Sequence, residues 1–307
     1  MRVAILGSAA GGGFPQWNCN CRNCIASRDG TFKGKTRTQI QVAICHDSRA
    51  WFLLNASPDL RMQIEATPVL HPRGQGRNSP IGGVVLTGAD IDQVAGLLSL
   101  RELQPFRIYC TPSIRRILRE DNSMFAMLNR MPGQVVWTDI RGDGSFCLQA
   151  DSGAGVNCSV FSLGHHFPAY VSRDRALELN PAETSLGVIA ESTSGKRLAY
   201  MPAVPAVDDL LLKRVEETDV LLFDGTFWSD DELIRVQGSG STAHEIGHIP
   251  VSGVEGSLRK LAGLRRPRKV FIHVNNTNPM LDESGPEYAE VRAAGWEVAE
   301  DGWNFEL

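Results

Sequence analysis

The chain has 307 residues, 42% of them hydrophobic and 21% charged, with a formal net charge of −4. That length and apolar share suffice for a substantial core. The mild acidity and scattered cations, apart from the short run Arg265, Arg266, Arg268 and Lys269, exclude a charge-driven role on nucleic acid or a membrane surface. No window approaches the roughly 20 apolar residues of a spanning helix, and the N-terminal run lacks a secretory pattern, so a cytoplasmic protein is expected.

In chain order, β-rich apolar runs predict strands over 2–6, 40–44, 51–54, 83–86, 107–110, 135–137, 157–163, 186–191, 197–201, 219–224, 269–274 and 296–299. Helices are predicted over 59–65, 91–100, 112–119, 206–217, 254–264 and 286–294, several with proline or a Ser or Asp cap at the start. Helices fall between only some of the strands, which favours two packed sheets covered outside by helices over strict β-α alternation. Segments 71–80 and 141–156 read as linkers by their Gly, Ser and Pro content. Composition does not change across either, so one domain, 1–307, is expected.

Seven cysteines are present, and three crowd into six residues as Cys19-x-Cys21-x-x-Cys24 after a glycine-rich turn. Three soft thiolates at that spacing can converge on one ion and favour tetrahedral zinc, with the alternative of three reduced or redox-active thiols. A closed structural site needs a fourth ligand from elsewhere, and His273 or the Asn275-Asn276 pair are the candidates. Cys45, Cys110, Cys147 and Cys158 stand singly in apolar or strand-like runs and read as buried small hydrophobes.

Acids and histidines recur at the ends of apolar strands, where crevices form. GVVLTGADIDQ carries Asp90 and Asp92, although Asp92 could equally cap the following helix. DVLLFDGT ends in Asp224, and KVFIHV brings His273. TAHEIGHIP holds His244 and His248 four apart, a spacing that shares one face of a helical turn. His165 and His166 follow another strand and suit a pocket or solvent equally. Each alone suits a structural role; together they suggest a shared metal crevice.

The order of elements resembles the metallo-β-lactamase superfold, whose first metal loop reads T-H-x-H-x-D-H. The matching run is Thr87 to Gln93, with Asp92 kept and Gly88, Asp90 and Gln93 standing where histidines would. Over nearly the whole length the chain resembles the coenzyme PQQ biosynthesis protein B family, through LGSAAGGGFPQWNCNC (6–21), LNASPDLR (54–61), IDQVAGLLSLRE (91–102), LLFDGTFW (221–228), IGHI (246–249) and HVNNTNPMLDE (273–283). The resemblance implies an α/β, four-layer αββα sandwich and a structural zinc on Cys19, Cys21 and Cys24. It also implies a second metal, iron, on Asp92, Gln93 and His273, with Asp90, Asp224 and His248 as further catalytic groups.

For function, the resemblance implies a role in making pyrroloquinoline quinone, as an iron-dependent oxygenase hydroxylating the tyrosine-derived ring of a cross-linked Glu-Tyr precursor. Imidazole binds ferrous iron better than a neutral amide does, which leaves three readings: Gln93 binds weakly or through water, His244, His248 or His165 supplies the nitrogen, or the chain is a divergent member with altered activity. The expected partner is a small or dipeptide-like precursor, with Arg61, Arg101 and Arg130 as anchors by residue type, and with a homodimer left open. The alternatives are a non-catalytic carrier of the quinone or a metal-dependent hydrolase of the same fold. A dinucleotide site at VAILGSAAGGG is disfavoured, because the G-x-G-x-x-G spacing is missing.

Overall fold

The structure is a computed structural model, and it describes residues 1–46, 49–149 and 155–307. Its strands are β1 (Arg2–Gly7), β2 (Gln41–Cys45), β3 (Trp51–Leu54), β4 (Ile81–Val85), β5 (Phe106–Cys110), β6 (Val135–Asp139), β7 (Ser145–Leu148), β8 (Val156–Gly164), β9 (Ser185–Glu191), β10 (Arg197–Met201), β11 (Val220–Asp224), β12 (Arg268–Ile272), β13 (Trp296–Val298) and β14 (Asn304–Glu306). The α-helices are α1 (Arg22–Arg28), α2 (Leu60–Glu65), α3 (Ile91–Val94), α4 (Pro112–Arg119), α5 (Arg173–Leu177), α6 (Asp209–Val215), α7 (Glu232–Gln237), α8 (Ser257–Lys260) and α9 (Pro286–Ala293).

The chain packs into two compact units, one of residues 1–6, 41–196 and 302–307, the other of 7–40 and 197–301. In the first unit the strand order is β14-β1-β2-β3-β4-β5-β6, with β3 to β6 parallel. Strands β7, β8 and β9 form an antiparallel ribbon in the same unit. The second unit carries β10-β11-β12-β13, all parallel.

Continuous apolar strands such as VLLFD in β11 are buried along their length, as parallel strands covered on both faces must be. Phe271 stacks on Trp296 at 4.1 Å between ring centroids, and Phe223 meets the same indole edge-on. Rings of this size bury enough area to fix the register of β11, β12 and β13. That register sets Asp224 beside Ile272, so the last residue of β11 and the first residue after β12 share one sheet end.

Three expectations need correction. The 141–156 segment is not simply a linker, since it contains β7, whose short run SFCL alternates too weakly to read as a strand; residues 150–154 lie outside the described ones. Cys147 sits in β7 and is exposed, whereas Cys45, Cys110 and Cys158 are buried as expected. The helices expected over 206–217 and 254–264 shrink to α6 and α8. Among the described residues no helix is long and apolar enough to cross a membrane.

Candidate metal centre

Two clusters in the second unit offer metal-binding donors: the thiols of Cys19, Cys21 and Cys24, and the group Asp224, His248 and His273. Within each, the ligand atoms lie within 4.8 Å of one another. Thiolates on one tetrahedral zinc stand about 3.8 Å apart, from bonds of ~2.3 Å, so the cysteine cluster fits an ion with little contraction.

Cys24 and Asn23 lie on α1, while Cys19 and Cys21 lie on the turn before it. The Cys21 N–H donates to Cys19 Sγ at 3.4 Å, and Asn276 Nδ2 donates to Cys24 Sγ at 3.3 Å and Cys21 Sγ at 3.6 Å. Burial pushes the Cys21 thiol up to about 11, with the neighbouring thiols adding to the rise and the Cys24 N–H opposing it. At Cys19 burial acts the same way, but donated hydrogen bonds outweigh it and the thiol falls below its ordinary range. The two thiols are thus shifted in opposite directions; a cation would supply the charge that lets all three ionise. Of the fourth-ligand candidates, Asn276 stands at the sulfurs and His273 belongs to the other cluster.

Asp224 ends β11 fully buried and saturated with donors. Its Oδ2 accepts from Val204 N at 2.8 Å and His248 Nδ1 at 2.7 Å; its Oδ1 accepts from Thr226 N at 3.0 Å and the Thr226 hydroxyl at 2.6 Å. The single hydroxyl proton of Thr226 is committed to the carboxylate, so Thr226 Oγ1 can only accept from His273 Nδ1 at 2.7 Å and His248 Nδ1 at 3.0 Å. Both rings therefore carry their proton on Nδ1, which makes Nε2 the basic nitrogen of each. The rings lie nearly parallel, 20° apart with centroids 5.3 Å from each other. Such a pair suits metal ligation or proton transfer, with Asp224 as the group that orients it. His273 holds this place with φ 55, a left-handed conformation that a non-glycine residue adopts only under constraint.

His244 does not join this group. The turn at His244–Ile246 is a single 3-10 turn that Gly247 ends with φ 88, so the expected shared helical face does not form. His244 instead pairs with Asp230 at 2.7 Å on the surface.

In the first unit, the loop after β4 carries Asp90, Asp92 and Gln93. Asn55 fixes its start by accepting from Thr87 N at 2.9 Å and donating to Thr87 Oγ1 at 2.8 Å. Asp92 lies in the first turn of α3 and Asp90 at its N-cap, where no side-chain cap bond forms. Asp90 instead faces His166, whose Nε2 lies 3.3 Å from both carboxylate oxygens, and this bond raises the His166 pKa against the opposing effect of burial. The Tyr170 hydroxyl donates to the carbonyl of Ala89. His165, a candidate source of the missing nitrogen, is exposed. Gln93 is buried, and among the described residues no group donates to its Oε1, an orphaned acceptor of the kind a cation or water satisfies. Arg61, Arg101 and Arg130 are exposed, and Arg101 donates to the Leu98 carbonyl.

Thr226, Asn278, whose Nδ2 donates to the Gly225 and Thr226 carbonyls, and Glu232, which accepts from the Thr277 hydroxyl, were not legible as site residues. The only local signal is a polar residue two positions past a strand-end acid in DGT, and a run of asparagines after His273. Their roles depend on the pairing of β11 with β12, which sequence spacing does not reveal.

A family model for the Beta-lactamase superfamily domain matches residues 50–274. The chain is 43% identical over 308 residues to Coenzyme PQQ synthesis protein B of Pseudomonas entomophila (strain L48), and 44% identical over 309 residues to that of Methylorubrum populi, covering 100% of both chains in each case. Among solved structures, Zn(2+)-bound PqqB from Methylobacterium extorquens matches with TM-score 0.91 at 42% identity and 100% coverage of both chains. A diphosphatase from the PhnP family matches with TM-score 0.67 at 18% identity, over 100% of this chain and 97% of that one, which shows the shared fold alone. The expected α/β class holds, and the fold is that of the metallo-β-lactamases. By similarity over its whole length, the chain belongs to the coenzyme PQQ synthesis protein B family of the β-lactamase superfamily.

Proposed function

We propose that the chain acts in pyrroloquinoline quinone biosynthesis as a metal-dependent oxygenase, hydroxylating the tyrosine-derived ring of a small, dipeptide-like Glu-Tyr precursor. The family supports the pathway. The observation that carries an enzymatic reading is the imidazole pair of His248 and His273, both protonated on Nδ1 by one network that a purely structural site would not need.

Zinc on Cys19, Cys21 and Cys24 is the reading of the thiolate cluster, with Asn276 beside it, and the Zn(2+)-bound state of the M. extorquens relative agrees with zinc in this family. At the second site, ferrous iron would supply the capacity to bring dioxygen and an electron-rich ring into reaction. The chain's own residues do the rest. Within the second unit His273 and His248 are the groups that would hold the metal; in the first unit the resemblance gives Asp92 and Gln93 a part in metal binding. Asp224 and Thr226 keep both imidazoles in one tautomer. With both Nδ1 protons tied to Asp224 and Thr226, Nε2 of His248 and of His273 are the nitrogens left to face a metal. Ring hydroxylation with dioxygen consumes two further electrons, which a dihydroxyphenyl substrate or added ascorbate supplies.

The test uses protein purified anaerobically, loaded with ferrous iron and given a dihydroxyphenyl or tyrosine-containing substrate. Substrate-dependent oxygen uptake with a hydroxylated product is expected. Uptake no greater than that of an Asp92→Ala chain overturns the reading, and tight quinone binding without oxygen consumption would mark a carrier.

A further inference from the structure

The thiolate cluster and the imidazole pair are joined by one short, fully engaged segment, residues 273–278. His273 begins it. Asn275 N donates to the Thr226 carbonyl at 3.0 Å, and Asn276 reaches the sulfurs of Cys21 and Cys24. Asn278 closes it, its Nδ2 donating to the carbonyls of Gly225 at 3.0 Å and Thr226 at 3.3 Å. Thr226 is the residue whose hydroxyl holds both imidazoles. From the other side Asn23, on α1 between Cys21 and Cys24, donates to the carbonyls of Asn276 at 3.1 Å and Asn278 at 3.0 Å.

The surroundings leave little slack. Asn278 is fully buried and Asn276 nearly so. A Cβ on Gly225 would lie 2.8 Å from the Phe271 Cβ, so the backbone that Asn278 grips has no room to shift toward β12. Glu232 adds a strut, accepting from Trp228 N at 2.6 Å and from the Thr277 hydroxyl, which itself accepts from Asn275 Nδ2 at 2.6 Å. A close-packed segment of this kind passes on a displacement rather than absorbing it.

We propose that Asn278 and Asn23 are positioning residues that couple the two clusters, so that a metal on Cys19, Cys21 and Cys24 tightens metal binding at His248 and His273. The coupling rests on the reading of both clusters as metal sites. When the three sulfurs are drawn onto one ion, α1 and Asn276 are fixed together, and Asn23 then fixes the carbonyls of Asn276 and Asn278. Asn278 in turn holds the Thr226 backbone, and with it the hydroxyl that sets both rings. With the sulfurs unligated the same chain of bonds ends on a mobile anchor, and the imidazoles spend part of their time out of register.

The experiment is a cobalt(II) titration of the full metal-free chain by equilibrium dialysis, with thiolate-to-cobalt charge-transfer absorption reporting the cysteine cluster separately. In the unmodified chain two ions bind. In Cys21→Ser the remaining site is expected to weaken by about tenfold, within the usual range for coupled sites. Asn278→Ala leaves all three thiols in place, so the charge-transfer band should persist while the second site weakens by a similar factor; it decides the matter if Cys21→Ser fails to fold. Second-site affinity within twofold of the unmodified chain in Asn278→Ala overturns the proposal, as does binding of a single ion by the unmodified chain. Two coupled ions without oxygen uptake would leave this inference standing and remove the oxygenase reading.

Discussion

Thr226 Oγ1 lies 2.7 Å from His273 Nδ1 while donating its own proton to Asp224, so one hydroxyl decides which nitrogen of His273 is basic. Thr226→Val keeps the shape and removes the hydroxyl, leaving a buried ring N–H and a carboxylate oxygen each short of a partner. Loss of such bonds costs about 1–3 kcal/mol. The variant should unfold at lower denaturant by that amount and bind metal at His248 and His273 more weakly. Unchanged denaturation midpoint and unchanged affinity would show that the hydroxyl orients nothing.

His166 and Asp90 supply a prediction that titration reads directly. The hydrogen bond that His166 donates to Asp90 raises the His166 pKa above its ordinary value of about 6.5. A raised folded pKa means the pair stabilises the fold fully below the unfolded pKa, and that this contribution fades as pH rises through the folded one. His166 is more than one-third exposed at its side chain, so the stability effect is small and the NMR midpoint is the better measure. Asp90→Asn should lower that midpoint; no movement would mean the contact does not persist in solution.

Glu232 gives a second pH test with another cause, because burial, opposed by the Thr277 hydroxyl and the Trp228 N–H, pushes its carboxyl up to about 7. Between the unfolded value, near 4.5, and about 7, the folded state holds more protons than the unfolded one, so stability falls as pH rises across that window. The full shift corresponds to at most ~3 kcal/mol. Glu232→Gln cannot ionise, and denaturation curves from pH 4.5 to 7.5 should lose this slope relative to the unmodified chain. An identical slope in both would assign the pH dependence elsewhere.

What could be read from sequence divides by range. Asp224, His273 and the cysteines were legible because each is marked locally, by an apolar strand ending in a polar group or by thiol spacing. The strands from β8 to β12 were legible for the same reason. His244 departs from expectation because helical spacing takes no account of Gly247, whose left-handed conformation ends the turn one residue before His248. Thr226, Asn278 and Glu232 were invisible because what they touch is fixed by the pairing of β11 with β12, a contact between segments some 47 residues apart. The loop after β4 is readable for its acids, but the partner of Asp90 comes from the segment after β8, which no local pattern ties to it.

Gln93 offers the last test, since it stands where the superfold's first loop carries a histidine. Among the described residues no group donates to its buried Oε1, and it fills the space over Gly88, where an added Cβ would lie 2.1 Å from that oxygen. Gly88→Ala should therefore displace the Gln93 side chain and, if its oxygen faces a cation, weaken binding there. Gln93→His replaces a weak neutral oxygen by an imidazole, a better ligand for ferrous iron. It should raise ferrous affinity by about tenfold, or ~1.4 kcal/mol. Measured together in the metal-free chain, the two substitutions must move affinity in opposite directions. If neither moves it, Gln93 is a packing residue and its oxygen faces no cation.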